Sequence, residues 1–212
     1  MVEKVIGSQL LQSTPREARS SIYEINPIIL NRWSPRSMTG EELQNDELMS
    51  LFEAARWAPS SANSQPWRFI YATRDTEEWN TLFNLLVDLN KIWAKNAAVL
   101  IVIVSKKEFE YKGKVIASAT HQFDTGAAWE NLALEATSRG LVAHGIAGFD
   151  YERARKDLDI PSSYEVLAMI AIGKRGLKEN LPPPLKEREV PGDRKPLEQI
   201  VMNGRFKGES NN

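Results

Sequence analysis

Residues 97–104 read AAVLIVIV, eight apolar side chains in a row with no polar face. A run of strand length, rich in β-branched residues, is satisfied as a central strand covered by apolar material on both sides. Helical periodicity on either side of it supplies the cover. Leu43, Leu48, Leu51, Phe52 and Ala55 recur at helical intervals behind Thr39 and Glu42, which have capping-box spacing. That helix should stop before Pro59, because the residue ahead of a proline avoids helical angles. Asp75 and Glu78 repeat the capping pattern ahead of Trp79, Leu82, Phe83, Leu86 and Leu89, which share one face. A long helix over about 119–139 carries Gly126, Ala127, Ala128, Leu132 and Ala136, and Gly140 closes it. Strands are expected over 67–72, 141–147 and 166–172, and a short helix over 151–158.

Helices and strands interleave, yet the long central helix and long tail do not fit a doubly wound sheet. The expectation is an α+β fold in one domain, spanning 28–203 between a polar arm (1–27) and a polar tail (204–212). Residues 178–196, KENLPPPLKEREVPGDRKP, are proline-rich and charged, and should run extended across a surface rather than join the core.

Composition then narrows the chemistry. The chain has no cysteine, which removes disulfides, thiolate metal sites, iron–sulfur clusters and cysteine nucleophiles. A net charge of −1 gives no basic field for nucleic acid. No run approaches the ~18 apolar residues of a membrane span, and the N-terminus lacks a signal-type apolar stretch. A mature, cytoplasmic protein is expected. His121 and His144 have no carboxylates at metal-ligand spacing, so no metal is expected. Trp57, Trp79, Trp93 and Trp129 read as core or interface residues, and His144 as a residue that shapes a loop.

Three clusters could carry function. Arg32, Trp33, Ser34, Pro35 and Arg36 place two forked guanidiniums and a hydroxyl within five residues, a set suited to phosphate. Residues 58–69, APSSANSQPWRF, pack hydroxyls and amides between two prolines at a helix-to-strand junction. Stiff backbone with donors and acceptors suits the edge of a heteroaromatic ring. Arg194 and Lys195 end the proline-rich tail beside Pro196 and could reach back to a phosphate. Taken singly, each cluster also fits a solvated surface segment.

Read together, the clusters resemble the nitroreductase family of FMN-dependent oxidoreductases, over roughly residues 28–203. DTGAAWENLALEATSRGL at 124–141 is similar to the family's central helix, and GIAGFD at 145–150 to its flavin-edge turn. The resemblance implies a central mixed sheet flanked by helices, with an extended C-terminal arm crossing to a homodimer partner. It implies that Arg32, Ser34 and Arg36, with the Trp33 backbone, grip the FMN phosphate and ribityl chain, and that Arg194 and Lys195 complete the clamp. Pro59, Ser60 and Ser61 would lie against the partner's flavin, with Asn63 and Gln65 in the same amide set. Ala147 and Gly148 would present backbone N–H to the flavin N5 region.

Some members carry glutamate where this chain has Ala147, which leaves the lining of the substrate face open. Asn90 and Lys91 only loosely match a polar contact the family makes before its long strand, and neither is assigned. The implied activity is transfer of hydride from NADH or NADPH, by a ping-pong mechanism, to a small acceptor such as a nitroaromatic or quinone. No side chain need act as a general acid, so none is named catalytic. The alternatives are flavin cleavage, dehalogenation or heterocycle oxidation on the same fold, or FMN storage or sensing without turnover.

Overall fold

In the computed structural model, which describes residues 19–206, the apolar run becomes β2 (Val99–Lys106). It lies in a four-stranded sheet with β1 (Trp67–Thr73), β6 (Tyr164–Lys174) and β5 (Leu141–Ile146), in the order β1-β2-β6-β5. All three pairings are antiparallel, so the mixed sheet expected from the sequence is corrected. A continuous apolar run reports cover on both faces, and here helices provide that cover without any parallel pairing.

One face of β2, Leu100, Val102 and Val104, packs with Leu82 and Leu85 of α3 (Glu77–Leu85), Trp93 of α4 (Asp88–Ala94) and Ala154 of α6 (Tyr151–Asp157). The other face, Val99, Ile101 and Ile103, packs with Leu48, Leu51 and Ala55 of α2 (Asn45–Arg56). Ala128, Leu132 and Ala136 of α5 (His121–Ser138) complete this layer, the alanines letting the helix lie close to the sheet. Residues 99–104 are at most 3% exposed. At roughly 1.5–3 kcal/mol per buried aliphatic side chain, this stretch alone contributes on the order of 10 kcal/mol. Gly140, at φ +73°, ends α5 as expected.

Several local expectations are corrected. The first amphipathic helix begins at Asn45, not behind a Thr39–Glu42 box, because Met38 bridges to Arg175 and the Thr39 N–H donates to the Lys174 carbonyl. Pairing to the sheet holds that backbone extended. Asp75 sits at φ +64° in a turn, and α3 starts after Thr76. Its pattern does not continue to Leu89, because Leu86 leaves the helix to bridge Phe149. A hairpin of β3 (Glu108–Tyr111) and β4 (Lys114–Ala117), unforeseen, turns at Lys112 and Gly113, both at positive φ.

The proline-rich tail is corrected too. It forms a 3-10 turn (Lys178–Asn180) and α7 (Pro183–Glu187), and seats Leu181 and Leu185 in the core. Prolines at the first helical positions start a helix rather than prevent it. Short helices α1 (Pro27–Asn31) and α8 (Leu197–Ile200) flank the clusters at the two ends of the chain. The expected arm at 1–27 lies outside the described residues up to position 18, and the tail beyond 206. No helix among the described residues is long and apolar enough to cross a membrane.

Candidate functional site

The segment 32–37 leaves α1 and is held from three sides by side chains distant in sequence. Arg19 Nη1 donates to the Arg32 carbonyl (2.9 Å), His144 Nδ1 bonds the Pro35 carbonyl (2.9 Å), and Glu189 Oε1 accepts the N–H groups of Arg36 (2.7 Å) and Ser37 (2.9 Å). Both His144 and Glu189 are buried. Burial pushes the His144 imidazole down to about 4, with the Arg36 charge adding to that push and the bond to Pro35 opposing it. His144 is therefore neutral near pH 7, and its Nδ1 is the donor to Pro35. The second oxygen of Glu189 is buried without a hydrogen-bond partner among the described residues. Beside it, burial lowers Arg175 and Glu189 opposes the effect, while the Arg175 guanidinium lies 4.9 Å from the Trp33 ring centre.

Pro35 and Ser37 of this segment are buried, the Ser37 hydroxyl donating to the Leu177 carbonyl, while Arg32, Trp33, Ser34 and Arg36 are half-buried. Arg32 reaches Ser34 Oγ (3.5 Å) and pairs with Glu130 (3.4 Å). It opens into a cleft of about 600 Å³ that is also lined by Arg19, Arg194, Lys195 and Glu130, with Ile22, Tyr23, Ile29, Leu197 and Ile200 as apolar walls. Two predicted clusters from opposite ends of the chain thus meet in one positively charged cleft. Arg36 is not among its lining residues. Its guanidinium, half-buried, makes no hydrogen bond or ion pair among the described residues.

The amide loop lies elsewhere. Residues 59–65 wrap a 3-10 turn (Ser61–Asn63) in which Ala62, Asn63 and Gln65 all have positive φ. Asp124, buried in the first turn of α5, accepts from the Ser61 N–H and the Thr120 hydroxyl (3.1 Å each). Ser60 Oγ accepts the Gln65 N–H (3.0 Å), and the Gln65 amide returns to the Asn63 carbonyl. Pro59, Ser61, Asn63 and Gln65 are exposed, Ser60 half-buried, and none lines the cationic cleft of the same chain.

Ala147 and Gly148 follow β5, and neither N–H has a protein acceptor among the described residues. Asn90 donates through Nδ2 to the Gly148 carbonyl (2.9 Å) and accepts from Trp93 Nε1 (3.3 Å). A Cβ at Gly148 would stand 2.6 Å from that Asn90 nitrogen, so a larger residue there displaces the Asn90 amide from the turn. Asn90 therefore supports the turn expected at the flavin edge, a role that spacing alone could not assign. Close by, a slot of about 270 Å³ between α5 and β6 is lined by Trp129, Leu167, Met169 and Ile170, with Gly126 and Gly145 leaving it open.

One arrangement invites a hydrolase reading and does not support it. Ser105 Oγ lies 3.1 Å from His121 Nδ1, and His121 Nε2 lies 3.5 Å from Glu165. Ser105 is fully buried, donating to the His121 carbonyl and sharing a hydrogen bond with Thr125. It ties β2 to the start of α5 and has no surface from which to attack a substrate. Trp57, 72% exposed under the Arg56 guanidinium, is not a core residue.

Comparison with known proteins decides the lineage. The sequence profile of the Nitroreductase family matches residues 29–92 and 77–174. The chain belongs to the nitroreductase family. A solved structure described as an oxidoreductase containing FMN is 42% identical, with a TM-score of 0.88 over 94% of this chain and all of that one. The NADH dehydrogenase of Thermus thermophilus is 27% identical over 88% of this chain and 98% of that protein. A nitroreductase family protein of Clostridium difficile 630 has a TM-score of 0.64 at 21% identity, over 84% of this chain and 97% of that one, a likeness of fold alone. The antiparallel sheet, the central helix α5 and the flanking helices are thus the nitroreductase fold.

Proposed function

We propose that this chain is an FMN-dependent oxidoreductase that takes hydride from NADH or NADPH and passes it to a small acceptor such as a nitroaromatic or quinone. The observation that carries the reading is the meeting of Arg32, Arg194 and Lys195, from the two ends of the chain, in one cleft. The donor set fits FMN: guanidiniums and an ammonium for a phosphate, the Ser34 hydroxyl for the ribityl chain, and unengaged N–H groups at Ala147 and Gly148 for a ring edge. When bound, the flavin supplies hydride acceptance and release at N5, chemistry that no side chain here could provide. The protein's part is to bind, orient and exclude water. Arg36, whose backbone Glu189 fixes, has a guanidinium that makes no hydrogen bond or ion pair among the described residues. It would grip the phosphate and ribityl chain, and Lys195 or Arg194 would stabilise negative charge on a reduced ring. A site used in turn by donor and acceptor makes the kinetics ping-pong.

Anaerobic mixing of the FMN-loaded protein with each nicotinamide tests the assignment, with bleaching of the flavin absorbance as the expected result. A protein that ignores added FMN, or retains FAD instead, overturns the cofactor. Flavin reduced by dithionite but by neither nicotinamide would overturn the donor, and leave specialised flavin chemistry or storage.

We further propose a homodimer in which residues 59–65 of one protomer cover the flavin of the other. The exposure of Pro59, Ser61, Asn63 and Gln65, and the absence of the loop from the lining of the cationic cleft of the same chain, support that sharing. The exposed apolar residues Ile22, Tyr23, Ile200, Val201 and Phe206 support a second surface to cover. Light scattering of the holo-protein should give twice the 23.9 kDa chain mass across micromolar dilution. A monomer retaining stoichiometric FMN and full activity removes the shared-site arrangement, and with it the roles of Pro59, Ser60, Ser61, Asn63 and Gln65.

A further inference from the structure

Arg19 lies outside every motif that the sequence singles out, yet it touches both halves of the cationic cleft. Its Nη1 donates to the carbonyls of Leu30 (3.0 Å) and Arg32 (2.9 Å), and its Nε donates to the carbonyl of Gly192 (3.0 Å), 173 positions away. The Gly192 carbonyl also accepts from Arg194 Nη1 (3.3 Å). One oxygen thus links Arg19 to Arg194, while the other end of the same guanidinium fixes the backbone that carries Arg32. We propose that Arg19 is a positioning residue of the phosphate clamp, a staple that holds the 192–195 segment against the 30–32 segment so that Arg32 and Arg194 converge on one anion. This inference rests on the FMN reading above.

The physical need for such a staple is repulsion. Arg19, Arg32, Arg194 and Lys195 line a single cleft against Glu130 and Asp193, so the two cationic segments drift apart unless something joins them. Burial lowers the affinity of Arg19 for its proton, and the charges of Arg194 and Arg32 add to that effect while Asp193 opposes it. Three carbonyl acceptors satisfy the guanidinium despite this crowding. The forked geometry of arginine makes bonds to two segments possible at once, and an ammonium on a single point cannot span them equally.

A merely structural arginine would weaken all flavins alike. A staple of the phosphate clamp should weaken only the phosphorylated one, so the readout is the ratio of dissociation constants for FMN and riboflavin. In wild type FMN should bind more tightly than riboflavin. Arg19→Ala should weaken FMN by about 10- to 100-fold, the worth of one displaced charge-assisted contact, and leave riboflavin within about twofold. Arg19→Lys, which keeps the charge and is the milder change should the alanine variant fold poorly, should lose FMN affinity by about 3- to 10-fold. Full FMN affinity in Arg19→Lys would assign the effect to charge alone and overturn the staple. Equal losses for FMN and riboflavin in either variant would overturn it as well. A wild type that binds FMN no better than riboflavin removes the phosphate clamp itself, and the inference with it.

Discussion

Between pH 6.5 and pH 4 the protein is expected to lose about 3 kcal/mol of stability through the single imidazole of His144. The ring is buried, its centre 4.5 Å from that of Trp93, and Nδ1 bonds the Pro35 carbonyl. Burial is the largest reason that the group falls from 6.5 to about 4 in the folded chain. The sign follows from proton counting. Within this window the unfolded chain binds a proton at His144 and the folded chain does not, so acid favours unfolding. The contribution is complete above pH 6.5, falls as pH drops towards 4, and changes no further below that. Exposed carboxylates also release stability in acid, but at lower pH. Glu53, held down to about 2 mainly by its hydrogen bond from Arg56, titrates below its ordinary value of 4.5. Urea denaturation at pH 7.5, 5.5 and 4.5 should therefore isolate the histidine, and His144→Gln should flatten the slope above pH 5. Equal stabilities at pH 7.5 and 4.5 in wild type would refute the buried neutral ring. The bond to the Pro35 carbonyl is not what acid removes, since that Nδ1–H donor persists and favours the charged ring; the cost falls on burying the charge beside Arg36.

The central strand was legible because eight apolar residues allow few other fates, and α5 because small residues, leucine and a closing glycine all agree. The sheet's direction was not legible, since a strand covered by helices reads the same in either orientation. Thr39 and Glu42 misled for a related reason: a local capping signal cannot report that Met38 will pair with Arg175 at the sheet's end. Among site residues, the clusters at Arg32, Arg36, Arg194 and Ala147 were visible as runs. Their supports were less so. His144 reads from the sequence as shaping a loop and Asn90 as a loose match, while Arg19 and Glu189 stand alone, and only the fold places each against a particular carbonyl or N–H. The proline-rich tail was misjudged on composition. Its prolines permit Leu181 and Leu185 to enter the core because they sit where helical N–H donors are not needed.

Arg36→Ala is expected to weaken FMN binding about 10- to 100-fold while leaving the fold intact. The backbone at this position does not depend on the side chain, since Glu189 Oε1 takes the N–H groups of Arg36 and Ser37 whatever residue stands at 36. The guanidinium, by contrast, has no partner within the described protein and remains free for an anionic ligand. A charge-assisted hydrogen bond is worth about 1.5–3 kcal/mol, which sets the size of the loss. Arg36→Lys should restore only part of it, because an ammonium keeps the charge and gives up the fork. A second signature separates this variant from a general disturbance. The Arg36 charge helps to hold His144 down, so its removal should let the imidazole titrate higher and reduce the stability lost in mild acid. Flavin titration and acid denaturation of the same variant read the two effects independently. Weaker FMN together with a smaller acid loss places the guanidinium between the cofactor and the buried histidine. An unchanged flavin dissociation constant returns Arg36 to the role of a solvated side chain, whatever happens to the acid response.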